Sequence, residues 1–442
     1  MEVLTQAAQF ILSLSILIVL HELGHFIPAK LFKTRVEKFY LFFDPWFSLF
    51  KVKKGETEYG IGWLPLGGYV KISGMIDESM DKEQMAQAPQ PWEFRSKPAW
   101  QRLIIMIGGV TVNVLLGIFI YAMVLFAWGQ EYLPTKNVKY GIAVDSLAYK
   151  IGLRDGDMIA SVNHKPVENF DRVAYEVLIN KATSIEVTRD GKEISFPITE
   201  DDLSEMLKNE SMLIEPRIPF EVDSVYPGGP AEKAGIKKYD RIISVDGQAT
   251  PYFQDFSKAM QNNKNKTVAI GLIRNNDTII VKPTTTSEGH VQMLTFSHMD
   301  HYFQTVQREY DFASAFPAGI RVASEKFDSY LKQMKLLFTI KGAHKKVGGF
   351  LSMGKRMSKT WDWQRFWSFT AFLSIVLAIM NILPIPALDG GHVMFLLYEV
   401  ITRRKPNEKF LEYAQYVGMF ILLALLLYAN GNDVIGLFTN NK

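Results

Sequence analysis

Two histidines and a glutamate near the amino terminus have the spacing of a catalytic zinc motif. They occur in the string His21-Glu22-Leu23-Gly24-His25. On a helix, residues four apart lie on one face, so both imidazoles can bind the same metal ion. The glutamate beside them can act as a general base toward a water on the zinc. His21 and His25 are therefore predicted zinc ligands, and Glu22 is a predicted catalytic residue.

The zinc motif follows an apolar run, residues 10–20, within a segment long enough to cross a membrane. Ionisable side chains at membrane depth are energetically costly, and a functional role is their usual explanation. The alternative is a chance match in which the histidines only end a helix. The apolar setting favours the metal site.

A catalytic zinc needs a third protein ligand and one position open to water. The chain contains no cysteine, so that ligand must be a histidine or a carboxylate. Asp389 is the favoured candidate and His392 is its rival. Pro384 and Pro386 break the helix just before Asp389, and broken backbone at membrane depth is tolerated where it lines an enclosed or wet cavity. We therefore expect one Zn²⁺ per chain.

Four apolar segments approach the roughly 20 residues that one membrane crossing requires. The fourth is the shortest, and a buried or peripheral helix is the alternative for it. If each segment crosses once, the first and third run in the same direction, and their zinc-binding ends can meet on one side. The predicted spans are residues 1–29, 103–128, 366–392 and 412–430.

Charge and composition set further limits on a chain of 442 residues, which is long enough for several domains. A net charge of +3 is too small to indicate nucleic-acid binding. Lysines and arginines follow the first and third spans, which predicts that these loops and the zinc end face the cytoplasm. No cleavage pattern follows the first span, so we expect it to be retained.

The region between the second and third spans has soluble character and contains an internal repeat. Residues 148–163 match residues 231–246, with alanine, glycine, aspartate, isoleucine and valine at equal offsets. Each copy resembles the signature of bacterial PDZ domains, although Tyr239, Ile151 and His164 depart from it. The sequence predicts PDZ domains at 130–218 and 219–307. Two small β domains that act only as spacers are the alternative.

The two membrane motifs and the repeat together resemble the site-2 protease family, in its bacterial regulator-of-sigma-E protease branch. The motifs are His21-Glu22-x-x-His25 and the string Asn381-x-x-Pro384-x-Pro386-x-Leu388-Asp389-Gly390-Gly391, and the resemblance covers essentially the whole chain. One departure is Phe350, which stands where the family usually has a proline after glycine, and no role is carried over to that segment.

This resemblance implies a polytopic α-helical membrane protein with four transmembrane helices, a membrane-associated β-hairpin and two inserted PDZ domains. It implies a zinc-dependent intramembrane endopeptidase with His21, His25 and Asp389 as ligands and Glu22 as base. Asn381 would contact the substrate backbone, with Pro384 and Pro386 beside it. The expected location is a bacterial inner membrane, with the PDZ pair in the periplasm and the active site towards the cytoplasm.

The resemblance also implies partners. Substrates would be single-span membrane proteins, such as an anti-sigma factor or a signal-peptide remnant, already shortened by an upstream site-1 protease in regulated intramembrane proteolysis. Membrane lipids would surround the spans. The PDZ pair would either exclude substrates with intact periplasmic domains or bind newly formed C-termini.

Residues 30–102 form a predicted cytoplasmic loop that contains the hairpin, at about 56–74. Residues 59–63 and 67–72 read as its strands and residues 64–66 as its turn. An exposed strand edge can capture an unwound substrate by β-addition. The family resemblance implies that this hairpin does so, with Gly67, Gly68 and Tyr69 as predicted substrate-binding residues. An ordinary cytosolic hairpin is the alternative. Within the predicted linker 308–365, residues 341–359 read as a surface-lying amphipathic segment, with a plain solvated linker as the alternative.

Two other functional classes remain open from the sequence. A membrane-anchored PDZ scaffold with a non-catalytic zinc site would bind zinc without activity. A divalent-metal transporter would also use broken helices and ionisable residues at membrane depth. The long soluble insertion and the lack of readable inverted repeats count against transport.

Overall fold

The structure is a computed structural model that describes residues 2–75, 87–208, 213–261, 263–296, 298–339 and 347–439. The chain divides into two compact units. The first, here called the membrane unit, comprises Met1–Gly129, Glu309–Phe338 and Gly342–Lys442. The second, the inserted unit, comprises Gln130–Arg308 with Thr339–Lys341.

The helices of the described residues, in chain order, are α1 (Glu2–Leu31), α2 (Ala99–Trp128), α3 (Ser146–Ile151), α4 (Asp171–Leu178), α5 (Glu200–Lys208), α6 (Pro230–Lys233), α7 (Phe253–Met260), α8 (Phe312–Thr339), α9 (Phe350–Gly354), α10 (Trp363–Ile382), α11 (Asp389–Thr402) and α12 (Glu408–Thr439).

The strands are β1 (Val36–Lys54), β2 (Thr57–Ile72), β3 (Gln130–Tyr132), β4 (Ile142–Val144), β5 (Met158–Val162), β6 (Ser184–Arg189), β7 (Lys192–Pro197), β8 (Ile214–Pro216), β9 (Val222–Val225), β10 (Arg241–Val245), β11 (Gln248–Ala249), β12 (Ile270–Arg274), β13 (Asp277–Val281), β14 (Met293–Thr295) and β15 (Val306–Arg308).

Four helices in the described part of the chain are long and apolar enough to cross a membrane, by length and composition: Glu2–Leu31, Ala99–Trp128, Trp363–Ile382 and Lys409–Gly436. A helix rises about 1.5 Å per residue, so even the 20-residue α10 reaches roughly 30 Å, the thickness of a hydrocarbon core. The fourth predicted span, 412–430, lies inside the longer helix α12.

Helix α2 lies at the centre of the membrane unit. Small residues let α1 approach it closely, since a Cβ on Gly24 or Gly108 would overlap backbone atoms of the opposite helix. On its other side α2 packs against α8 and α10 through a buried apolar cluster that includes Ile120, Ala323 and Ile375. Helices α1 and α10 therefore both pack on α2, and they also contact each other through a hydrogen bond of 2.9 Å from Thr370 to Ser13.

The third predicted span, 366–392, is not one helix. Helix α10 ends at Ile382, and a connector of residues 383–388 precedes α11, which begins at Asp389. Pro384 and Pro386 explain the break, because proline has no N–H to continue the helical ladder and restricts the residue before it. Asp389 therefore starts a helix, where the sequence prediction placed it at the end of a span.

The predicted hairpin at 59–72 is wrong in its pairing. Within the described sheet, residues 59–61 and 68–70 both pair with residues 39–41 of β1, which lies between them. The tight turn is at Gly55-Glu56, where Gly55 takes the left-handed φ of 63° that suits glycine. Residues 64–66 instead lie within β2. The prediction failed because it left the aromatic segment 36–54 out of the sheet.

The predicted linker 308–365 contains a long helix that the sequence reasoning missed. Helix α8 has 28 residues, and its Ala323 packs into the cluster on α2. The predicted amphipathic segment 341–359 lies partly outside the described residues, which resume at 347. Within its described part, α9 begins at Phe350, which packs near Phe10 of α1.

The inserted unit contains two apolar cores. The first is built mainly from residues 133–218 but also contains Tyr302 and Phe303. The second is built from residues 220–291. The chain thus returns to the first core after completing the second, and this differs from the predicted division into 130–218 and 219–307. Strands β3 and β15 pair antiparallel and bring the two ends of the unit together.

The internal repeat is matched by a repeated ion pair. In the first half, Arg189 binds both oxygens of Asp157 at 2.6 and 2.7 Å and also the Gly152 carbonyl. In the second half, Arg274 binds Asp240 at 2.7 and 2.6 Å in the same way. Each aspartate is 1% exposed. Charge-assisted bidentate pairs are strong and directional, so the aspartate of the repeat signature has the same structural role twice.

Candidate active site

Three predicted ligand atoms converge in the membrane unit. The Nε2 atoms of His21 and His25 lie 3.3 Å apart. Asp389 Oδ2 lies 3.3 Å from the first nitrogen and 3.4 Å from the second. Residues 21 and 25 come from successive turns of α1, and Asp389 comes from the first turn of α11. The break after α10 therefore brings the carboxylate to the imidazoles.

The arrangement fits zinc. Ligand atoms about 2.0–2.1 Å from a tetrahedral zinc lie roughly 3.3 Å from one another, which matches the three observed separations. Within the described chain, Asp389 Oδ2 is buried and has no hydrogen-bond partner. A buried carboxylate oxygen without a partner is energetically unfavourable, and a cation between the three atoms removes that penalty.

His25 is oriented by backbone. Its Nδ1 atom lies 2.8 Å from the Ile105 carbonyl oxygen on α2. A carbonyl can only accept, so Nδ1 carries the proton and Nε2 has its lone pair free for a metal ion. This is the outer contact that metal-binding histidines usually make.

His21 is oriented by Asn113, a residue that the sequence reasoning missed. The Asn113 amide lies 3.1 Å from His21 Nδ1, and its Oδ1 atom is buried without a hydrogen-bond partner in the described chain. With the amide turned so that Oδ1 faces His21, Oδ1 accepts a hydrogen bond from Nδ1–H. That orientation leaves His21 Nε2 free for the metal. A lone amide in an otherwise uncharged span was the available signal.

Gly109 on α2 gives the two imidazoles their space. A Cβ at this position would overlap both rings. The close approach of α1 and α2 therefore has a direct consequence at the metal site, because the histidines occupy the volume that a side chain on α2 would need. Sequence reasoning missed Gly109 because the requirement exists only once the helices are packed.

Glu22 lies in a cavity of about 720 Å³ whose lining includes the three ligand residues and Asn381. Residues 67–72 of β2 form part of its wall. The Val70 backbone N–H faces the Glu22 carboxylate. Gly68 lies so close to α1 that a Cβ would overlap the Ile18 side chain. One edge of β2 thus runs beside the proposed base.

The other predicted site residues are distributed unevenly. Asn381 Nδ2 lies 3.2 Å from His21 Nε2, beside the ligand atoms. Gly67, Gly68 and Tyr69 belong to the cavity lining, whereas within the described chain neither Pro384 nor Pro386 does. The prolines form the connector instead, so their predicted substrate contact stays a prediction. His392 lines the cavity outside the group of three converging ligands.

Tyr69 is fixed by Asp44 on β1. Its hydroxyl donates a hydrogen bond of 2.8 Å to Asp44 Oδ1. Burial and this carboxylate raise the pKa of Tyr69 above its usual value, so the phenol stays protonated and keeps donating. The bond holds the strand edge at the cavity in one position.

A comparison with protein-family models decides the family. The model of peptidase family M50 matches residues 9–425, a range that contains both zinc-motif segments and the inserted unit. The chain belongs to peptidase family M50. The M50 protease is therefore an enzyme of the site-2 protease family, a metalloprotease whose metal is zinc.

Curated relatives match this M50 protease nearly end to end. Regulator of sigma E protease from Haemophilus influenzae is 26% identical over 465 residues, covering 99% of this chain and 100% of that protein. Regulator of sigma-E protease RseP from Escherichia coli K12 is 27% identical over 453 residues, covering 96% and 97%. Protease RseP from Yersinia pestis is 27% identical over 470 residues, covering 98% and 99%.

Proposed function

We propose that this zinc metalloprotease hydrolyses peptide bonds within membrane-spanning segments of single-span proteins. The observation that carries the proposal is the convergence of His21, His25 and Asp389 within a unit whose helices are long and apolar enough to cross a membrane. The family assignment favours a protease over the scaffold and transporter alternatives.

The proposed roles follow from the cavity. His21, His25 and Asp389 would hold the zinc ion, which would supply Lewis acidity toward the scissile carbonyl. Glu22 takes the proton of the attacking water and passes it to the leaving amine. The Asn381 side-chain amide, next to the predicted ligand atoms, donates a hydrogen bond to a carbonyl of the substrate backbone.

Substrate binding is proposed at the edge of β2. A transmembrane helix hides its carbonyls in internal hydrogen bonds, so it must unwind before cleavage. The edge formed by Gly67, Gly68 and Tyr69 lines the cavity and can pair with an unwound strand. Backbone pairing is tolerant of sequence, which suits an enzyme that acts on apolar segments.

The sheet is proposed to lie at the membrane surface. Trp46 is 90% exposed and Phe47 is 57% exposed, and both rings stack on Trp63. Tryptophan and other aromatic rings prefer the membrane interface, and Lys51, on the same strand, suits lipid headgroups. Lipids are therefore partners of β1 as well as of the spans.

For the wider role, we propose the inner membrane of a bacterium, with the zinc end towards the cytoplasm and the inserted unit in the periplasm. The two halves of the inserted unit are proposed to be PDZ domains that exclude substrates with bulky periplasmic parts. The names of the Haemophilus and Escherichia relatives refer to sigma-E regulation, which supports an anti-sigma factor as substrate, after an upstream protease has shortened it.

The test is zinc analysis combined with cleavage of a model single-span substrate by the purified protein in detergent. We expect one zinc per chain and cleavage within the apolar segment. Glu22→Gln should keep zinc and lose cleavage by about 10²–10⁴-fold, because an amide cannot accept the proton. Wild-type turnover by that variant, with contaminating protease excluded, would remove Glu22 as the base.

A further inference from the structure

The connector between α10 and α11 contains a strained residue just before the proposed zinc ligand. Ala387 has φ of 78°, in the left-handed region that residues with a Cβ rarely adopt. Such a conformation persists only where surrounding contacts enforce it. Ala387 lies two residues before Asp389, so whatever enforces its conformation also affects where the carboxylate lies.

Helix α12 supplies two contacts to this connector. The Ala387 N–H donates a hydrogen bond of 3.1 Å to Gln415 Oε1. One turn further along α12, Gly418 lies against Pro386 so closely that a Cβ would overlap the Pro386 carbonyl. Residues three apart share one helix face, so a hydrogen bond and a close backbone contact act together on consecutive connector residues.

The burial of α12 is concentrated at these two contacts. Among the described side chains of this helix, Gln415 and Gly418 are the buried residues, and the rest are exposed or partly exposed. A buried amide on an apolar helix is unfavourable unless it is hydrogen-bonded. General packing of α12 therefore does not explain the position of Gln415. The Ala387 N–H does explain it, because the break in the helix leaves that N–H to bond the Gln415 side chain.

The connector transmits this constraint to the ligand over a short distance. The Leu388 N–H donates to the Ile385 carbonyl at 3.0 Å, and the Gly391 N–H donates to the Leu388 carbonyl at 3.0 Å. These bonds lead directly from the connector into the first turn of α11. A change at Ala387 therefore moves the start of α11 and, with it, Asp389.

We propose that Gln415 is a positioning residue for the zinc ligand Asp389 and acts through the Pro386–Ala387 turn, with Gly418 allowing the contact. The proposal rests on the proposed role of Asp389 as a ligand. It assigns the last span a part in assembling the metal site, although that span carries none of the predicted zinc ligands.

The test compares Gln415→Met with wild-type full-length protein in detergent. Methionine has a similar length, but its thioether sulfur is only a weak acceptor for the Ala387 N–H. We expect zinc affinity, measured by competition with a chelator, to fall about 10–100-fold, as for other groups that orient a metal ligand. At saturating zinc, kcat should fall while KM stays near the wild-type value. In hydrogen exchange, the Ala387 amide should exchange faster.

The matched control is Gln9→Met. Gln9 is also fully buried, and its Nε2 donates to the Ser358 carbonyl at 2.9 Å, outside the zinc cavity. This variant should retain wild-type zinc affinity. Gly418→Ala provides a second approach, since the added methyl should displace α12 from Pro386 and weaken zinc binding as Gln415→Met does.

Folded Gln415→Met and Gly418→Ala proteins that bind zinc as tightly as wild type would overturn the positioning role and leave the proposed function intact. An Asp389→Ala protein with unchanged zinc affinity would contradict the ligand assignment itself, and the positioning role would fall with it. The two failures are therefore distinguished by which variants keep the metal.

Discussion

The Nδ1 atom of His25 lies 2.8 Å from the carbonyl oxygen of Ile105, so the backbone of one span fixes the protonation of an imidazole on another. The equivalent nitrogen of His21 is contacted by a side chain, Asn113. One predicted zinc ligand is thus oriented by a backbone group that no substitution removes, and the other by a side chain that mutation can test.

Asn113→Leu should weaken zinc binding about 10–100-fold, because Nδ1 of His21 would lose the partner that fixes its tautomer. Chelator competition measures the change. Ser374→Ala is the control, since Ser374 donates to the Asn113 backbone carbonyl without touching His21. Wild-type zinc affinity in Asn113→Leu would show that His21 needs no such partner.

Asp389→Ala should lose zinc and activity together, whereas His392→Ala should keep most of its zinc. The reason is that Asp389 Oδ2 is one of the three converging atoms that could hold a metal ion, while His392 lies outside that group. Metal analysis of the two purified variants decides between them. Full zinc occupancy in Asp389→Ala would transfer the ligand role to another residue.

Gly109→Ala should weaken zinc binding about 5–150-fold in a protein that still inserts and folds. The new methyl group would overlap the imidazoles of His21 and His25, and overpacking of this kind typically costs about 1–3 kcal/mol. Gly431→Ala on α12 is the matched control, because a Cβ there meets open space. The comparison uses zinc content at equal expression. Normal zinc in Gly109→Ala would mean that α1 and α2 can separate without affecting the site.

The inserted unit should lose stability in acid through Glu186. Burial alone would raise the pKa of this carboxyl. Hydrogen bonds from Ser161, Ser184 and the His164 backbone lower it by more, so the pKa lies below its ordinary value of 4.5. A depressed pKa stabilises the fold at every pH above the ordinary pKa of the unfolded chain. That stabilisation is lost as the pH falls through the lower pKa of the folded protein.

Hydrogen exchange of residues 130–308 in the intact protein, measured as pH is lowered below 4.5, tests this expectation. Glu186→Gln should flatten the pH dependence, while Glu193→Gln, at an exposed position on β7, should leave it unchanged. Identical pH profiles for wild type and Glu186→Gln would exclude Glu186 as the cause.

Deleting the inserted unit should preserve cleavage of a pre-shortened substrate and increase cleavage of an intact one. The three ligand residues and Glu22 all lie in the membrane unit. Since β3 and β15 pair at the ends of the insertion, a short linker can replace it. Both substrates are assayed in membranes at matched expression. Loss of cleavage of the shortened substrate by a folded, zinc-loaded deletion variant would instead make the insertion a required docking site.

The spans and the pairing of His21 with His25 could be predicted because both depend on local patterns, whereas Asp389 was assigned from the direction of the spans and from family resemblance. A helical spacing of four places His21 beside His25, and a pair of prolines requires a break before Asp389. Neither inference needs the identity of neighbouring helices. The internal repeat likewise identified Asp157 and Asp240 as equivalent positions, although it did not identify the arginines that bind them.

The contacts around the site could not be predicted in this way. Gly109 and Asn113 matter because α1 packs on one particular face of α2, and Gln415 matters because of the φ angle of Ala387. In the sequence alone, nothing distinguishes the role of each residue from that of its neighbours in the same membrane span. The prediction of the β-sheet failed for a related reason. Residues 36–43 are separated in sequence from both segments with which they pair, so no local turn signal indicated the order of the strands.

The return of the chain to the first core of the inserted unit sets an order for its folding during synthesis. All buried residues of the second core have been made once Val291 is added, whereas the first core lacks Tyr302 and Phe303 until later. Multidomain chains usually fold from the amino terminus as they emerge. Here the half that is translated first is completed last, so the second half must mature while its neighbour is still missing part of its interior.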